Sequence, residues 1–259
     1  MTVPTRFPEG LSNAAPWQLF SEMGVTNPFY YHSLFDDFDV YPLAGTITGW
    51  EVLGTGTRAF ISADGGVVEL TTAATTGSYN YIQRQTSTFQ PIAGKKLYFV
   101  TRVSLTDVID SQLFVGIVPV GDTPSGSVPN GIWITKALGS TQLSLVVVNN
   151  SVITINPFPA LAYTLTNNVF IDVGFSIVPD NITGANVISG SVAPTLVSYV
   201  PQSGTGTSGS KERSPVVVST APLLTTLQAN VLAPTVGLQT ESNVAYSATF
   251  DFVGCFRER

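Results

Sequence analysis

Histidine and cysteine are almost missing from this 259-residue sequence, which carries one of each, His32 and Cys255. A single histidine excludes metal sites built on several imidazoles. It leaves a Ser-His-Asp arrangement only if His32, in a proline-rich stretch, supplies the base. No Gly-x-Ser-x-Gly elbow accompanies it, so His32 reads as a surface or interface side chain. A lone thiol can form neither an internal disulfide nor a zinc cluster. Cys255 sits among apolar residues of what reads as the last strand, and packing is its expected role.

Charge is also scarce. Only 11% of residues are charged, the net charge is −6 and the pI is about 4.6. That leaves no basic footprint for phosphates, and direct nucleic-acid binding is not expected. Long apolar runs are absent: the longest, such as residues 143–148, fall far short of the roughly 20 residues a membrane-spanning helix needs. Residues 1–10 lack a basic segment followed by an apolar one, so the expectation is synthesis in the cytosol without a secretory signal. The sequons Asn149-Asn150-Ser151 and Asn181-Ile182-Thr183 therefore read as chance matches. Gly204 to Gly209 lacks the Gly-Lys-Ser/Thr ending of a phosphate-binding loop, and no cofactor is expected.

What is present is a texture of short apolar runs punctuated by Gly, Pro, Ser, Thr and Asn. Residues 1–34 differ from the rest, with Pro4, Pro8, Pro16 and Pro28 among aromatics and no sustained period of two. They read as an extended arm with a possible helical turn at 15–23. Aromatics on a tail with no core of its own are costly when free, so Phe7, Trp17, Phe20, Phe29 and Tyr30 are the candidate partner-binding residues. From residue 35 the pattern changes to strands and turns. Strands are expected at 49–53, 58–62, 67–72, 79–85, 96–105, 112–120, 131–136, 142–149, 151–155, 169–178, 187–191, 232–239 and 243–253. Ala63 to Gly66 and Asn149-Asn150 are hairpin signals. Within 96–105, Leu97, Phe99, Val103 and Leu105 share one parity and Arg102 and Ser104 the other, which gives a core face and a wetter face.

No helical stripe is sustained outside 222–232. The fold class is therefore all-β: an antiparallel two-sheet β-sandwich with an irregular N-terminal arm, Trp50, Phe99, Phe114, Trp133, Phe175 and Phe250 being core candidates. Residues 201–214, rich in Gly, Ser and Thr, read as a flexible surface insertion inside the domain 35–259.

Carboxylates offer two further candidates. Asp36, Asp37 and Asp39 form the densest acidic cluster, but without EF-hand spacing they read as a hydrogen-bonded strand end, and no metal is expected. Glu51, Glu69, Asp107 and Asp110 could supply the paired acids of a glycosidase, about 5–10 Å apart, but the sequence brings no two of them together. They read as surface charge, and the chain as a non-enzyme.

Several stretches resemble the decoration, or cement, proteins of tailed-bacteriophage capsids. They are Val3 to Gly10, Phe35-Asp36-Asp37-Phe38 before Trp50, Gly65 to Thr72, Gly94 to Val103, Phe114 to Ile117, Pro234 to Gln239 and Phe250 to Val253. The resemblance implies a concanavalin A-like jelly roll on the virion, bound to the major capsid protein and to neighbouring copies of itself as a dimer or trimer, and bridging capsid subunits. On that reading the arm docks on the shell, and removal of residues 1–34 leaves a folded sandwich that no longer binds. The same sandwich serves carbohydrate recognition, so a lectin-like tail-fibre or adhesin component with a glycan on its distal surface is the alternative. A polysaccharide-cleaving enzyme is a third reading, which requires an acid and a base facing each other in a groove.

Overall fold

The computed structural model describes residues 30–39, 49–61, 66–92, 95–124, 127–157, 165–178, 191–193, 195–197, 213–215 and 230–259. Phe7, Trp17, Phe20 and Phe29, the helical possibilities at 15–23 and 222–229, the turn at 63–65 and residues 201–212 lie outside that set.

The strands in chain order are β1 (Tyr31–Asp36), β2 (Glu51–Gly54), β3 (Thr57–Ile61), β4 (Val67–Thr71), β5 (Tyr79–Gln83), β6 (Leu97–Leu105), β7 (Ser111–Pro119) and β8 (Gly131–Lys136). They continue as β9 (Leu143–Asn149), β10 (Val152–Pro157), β11 (Ile171–Val178), β12 (Ser191–Ala193), β13 (Thr195–Val197), β14 (Arg213–Pro215), β15 (Leu232–Thr240) and β16 (Ser247–Glu258). No described residue is helical.

Two antiparallel sheets result. Sheet A has the order β12-β11-β6-β16-β4-β3 with β1 also on β16, and sheet B has the order β10-β9-β8-β7-β15-β5-β2. A small β13–β14 pair completes the set, so Arg213 and Ser214, expected in the flexible insertion, belong to a strand. Residues 31–34, expected in the arm, are the first part of β1 and pair with Glu258 to Cys255. A cut after residue 34 therefore removes sheet A residues as well.

The core lies between the sheets. Sheet A contributes Val68, Leu70, Phe99, Val103, Phe175 and Phe250, and sheet B contributes Ile82, Leu113, Val115, Ile134, Leu145 and Val236, all buried. Phe99 and Phe175 stack across paired strands with centroids 5.4 Å apart. In β6 the odd residues face this core, as their spacing suggests. β16 keeps its alternation only in halves. Ala248 and Phe250 face inward, Val253 and Cys255 also face inward, and the register shifts between Phe250 and Phe252. The extra residue is Asp251, a β-bulge that switches the parity of the strand.

Phe114 and Trp133 are buried as expected, but not between the sheets. They belong to a second apolar cluster with Tyr81, Val118, Val128, Val146 and Val148 on the opposite face of sheet B. Close packing there requires glycine. A Cβ on Gly237, which pairs with both Tyr81 and Phe114, would lie 2.3 Å from the Tyr81 ring, and one on Gly116 would lie 2.5 Å from Trp133 Cβ. Strands β7, β8 and β9 are consequently buried on both faces.

One cation sits inside the sandwich end. Lys136 is fully buried, and its Nζ donates to the carbonyls of Val108 (2.6 Å), Ile109 (3.4 Å) and Ser111, tying the β6–β7 turn to β8. Burial pushes its pKa down to about 8, against the opposing pull of Asp107 and Asp110. Between about pH 8 and 10.5 the folded protein thus binds fewer protons here than the unfolded chain. Stability from this site rises with pH across that window, by at most about 1.4 kcal/mol per pH unit. Lys136→Met should lose about 2–4 kcal/mol at pH 7 by leaving three carbonyls without their donor. In urea titrations, the gap between wild type and variant should widen from pH 8 to 10; a constant gap would show that the lysine is not held with a lowered pKa.

Candidate functional site

The outer face of sheet A carries one row of side chains that a solvent face has no structural need for. Phe35 on β1 is 58% exposed and stacks on Phe252 of β16, centroids 5.6 Å apart and planes 26° from parallel. Phe252 pairs with Arg102 of β6, and Arg102 pairs with Asp172 of β11. The Arg102 guanidinium lies 3.2 Å from the Asp251 carboxylate, 4.0 Å from Asp172 and 5.3 Å above the Phe170 ring. Four strands thus set an aromatic pair, a guanidinium and two carboxylates side by side. Asp251 is aimed at the row by being the bulge residue. Burial raises its carboxyl pKa, partly offset by Arg102, with Asp37 adding to the rise.

The two aromatic faces of the molecule differ in one decisive respect. On sheet B, rings run from Tyr79 to Tyr81 (5.4 Å), to Phe114 (5.9 Å) and to Trp133 (5.1 Å). Tyr81, Phe114 and Trp133 are each 9% exposed or less, and Tyr79, partly buried, packs against them. Among the described residues, the sheet A row joins an exposed ring, Phe35, to a guanidinium and two carboxylates.

Under this row the turn after β1 is pinned by Asp36. One carboxylate oxygen accepts the Phe38 backbone N–H (3.0 Å) and the other the Trp50 indole N–H (2.8 Å), with Arg84 3.9 Å away. Phe38 adopts a φ of +59°, and its buried ring rests on Trp50 at 5.9 Å. The Asp36 cluster is a hydrogen-bonded strand end, as its spacing suggests. Among the described residues, no three His, Cys, Asp or Glu side chains meet as a metal site would require.

The other sequence candidates scatter. His32 is not a free surface side chain: it sits in β1, its Nε2 3.1 Å from the Thr88 carbonyl and its ring 4.6 Å from Phe89. Cys255 is fully buried, and burial pushes its thiol pKa well up. Glu51 and Glu69 lie on different sheets. The Asp107 carboxylate accepts the N–H groups of Ile109 and Asp110, and Asp110 accepts the Tyr246 hydroxyl. Tyr30, the one arm candidate among the described residues, is 68% exposed, and its carbonyl accepts the Arg259 N–H. Sequence reasoning marked Arg102 only as a wet-face residue and passed over Asp172, Asp251 and Phe252. Asp172 stands between the inward-facing Ile171 and Val173, an alternation visible in the sequence, whereas in β16 the bulge hides it.

No family model and no curated protein matches the sequence. Solved structures do match. One is the CBM2 module of an evolved Dit from Lactobacillus casei BL23 phage J-1, at TM-score 0.55 and 11% identity over 88% of this chain and 96% of that one. Lectin II from Ulex europaeus aligns at 0.55 and 11% over 86% and 97%. An endo-1,3-β-glucanase from Streptomyces sioyaensis aligns at 0.55 and 12% over 89% and 98%. The chain has the jelly-roll sandwich fold of these proteins. At such identities the likeness extends to fold alone.

Trp50→Phe should cost about 1–3 kcal/mol, because it strands a carboxylate oxygen under the turn. Phe35→Ala, at an exposed position, should cost less than about 1 kcal/mol. Urea midpoints measure both, and equal losses would contradict the division between support and surface.

Proposed function

We propose that the chain is a lectin-like carbohydrate-binding component of a virion, acting by recognition rather than catalysis. The observation that carries this reading is the row Phe35–Phe252–Arg102–Asp172, with Asp251 beside it. A pyranose has a flat C–H face that sheds water against an exposed ring and a rim of hydroxyls that both donate and accept. Carboxylates accept from such hydroxyls and a guanidinium donates to them, so the row offers each complement across about 14 Å, the span of a short oligosaccharide. The likeness in fold to a phage carbohydrate-binding module and to a plant lectin supports the same choice.

Catalysis is disfavoured by the arrangement of the two carboxylates. Asp172 and Asp251 flank one guanidinium on an open sheet face, whereas glycoside hydrolysis places an acid and a second carboxylate on opposite sides of a scissile bond. The capsid-cement reading draws on the sequence resemblance and on Tyr30, exposed at the head of β1. In that reading the partner is the major capsid protein, and the sugar site faces away from the shell.

An array of bacterial surface polysaccharides, probed with the labelled full chain, tests the proposal. Wild type should retain at least one glycan. Phe35→Ala and Arg102→Met should each weaken it about ten-fold or more, equivalent to about 1.4 kcal/mol. A wild-type protein that retains none, or variants that bind as well as wild type, would overturn it.

A further inference from the structure

β10 is the end strand of sheet B, and no described strand pairs with its outer edge. Val152, Ile153 and Ile155 are 62%, 62% and 61% exposed. Edge strands are ordinarily guarded by lysine, a bulge or a covering loop. This one has no charge of its own, and residues 137–171 contain no charged residue at all.

The outer edge of β10 is self-complementary. Asn150 and Ser151, with φ of +50° and +65°, form a two-residue turn that closes on the pair Asn149 and Val152. Val152, Thr154 and Asn156 therefore turn their backbone groups toward β9, and Ile153 and Ile155 turn theirs outward. We infer that β10 pairs antiparallel with β10 of a second copy, with Thr154 opposite Thr154 on a two-fold axis. Ile153 of each copy then exchanges both backbone hydrogen bonds with Ile155 of the other, which satisfies all four outward groups on each strand. The ladder stops by itself, since Pro157 has no N–H and the Ser151 N–H is already donated to the Pro129 carbonyl at 2.8 Å.

The apolar surface follows the same symmetry. Ile153 and Ile155 pair with Val148 and Val146, so they extend the buried outer cluster of sheet B to its rim. Two-fold pairing sets four isoleucines on one face of a continuous sheet. A net charge of −6 per copy opposes association, but neither β10 nor β9 beside it carries a charge. This inference stands apart from the carbohydrate reading, because β10 is not in the sheet that bears the sugar row.

Sedimentation velocity of the full chain over a roughly hundred-fold concentration range is the test. Wild type should form a dimer that tightens with added salt. Ile153→Lys, which places like charges beside the axis, and Ile155→Pro, which deletes only an outward N–H, should each raise the dimer Kd about ten-fold or more while circular dichroism stays unchanged. Thr154→Cys should oxidise to a covalent dimer, since facing residues of this pair type lie about 4.5 Å apart, whereas Val152→Cys should not. A wild type that stays monomeric at the highest concentration overturns the inference. So does a dimer that both edge variants leave intact and Thr154→Cys fails to cross-link.

Discussion

The bulge at Asp251 is the constraint on which both the core and the candidate site depend. β16 is shared along one edge by β6 and along the other by β4 and then β1. Without the extra residue its apolar positions would fall on opposite faces in the two halves of the strand. With it, Phe250 and Val253 both enter the core, and Phe252 turns out to stack under Phe35. The same irregularity therefore closes the sandwich and presents the aromatic pair. Thr101 helps to hold it, its hydroxyl donating to the Phe252 carbonyl at 2.7 Å.

Around that seam the polar interior is sparse and specific. Asp36 takes up the Phe38 N–H and the Trp50 indole, and Lys136 takes up three carbonyls of the β6–β7 turn. Gln83, also fully buried, bonds Pro119, Thr235 and the Gly121 N–H, and so anchors the turn after β7 to two neighbouring strands. Each group fixes a connection where a ladder of backbone bonds ends. Buried polar groups cost least when fully bonded, and these positions give the sheets their ends rather than their interiors.

The sandwich was legible in the sequence wherever one face of a strand met water. β6 showed its parity, and β8 could be bounded to the residue. Strands β7 to β9 concealed theirs, because a second apolar cluster buries their outer face, and so Phe114 and Trp133 could be read as buried but not assigned to a side. The site was harder to see for a different reason. Phe35, Arg102, Asp172 and Phe252 are far apart in the chain, and only strand order and register bring them into one row. His32 lies in a strand because β1 begins inside what reads as an arm. The aromatics at 7, 17, 20 and 29 remain a proposal about partners, founded on composition and resemblance.

Carbohydrate recognition by this fold depends on which face of the sandwich meets a glycan. Methyl and aromatic NMR shift changes, recorded on adding an oligosaccharide retained by the full chain, would map that face directly. Changes centred on Phe35, Phe252 and Phe170, with the Arg102 side chain among them, are the expected result. Changes confined to the outer face of sheet B, or to the loops at either end, would contradict it.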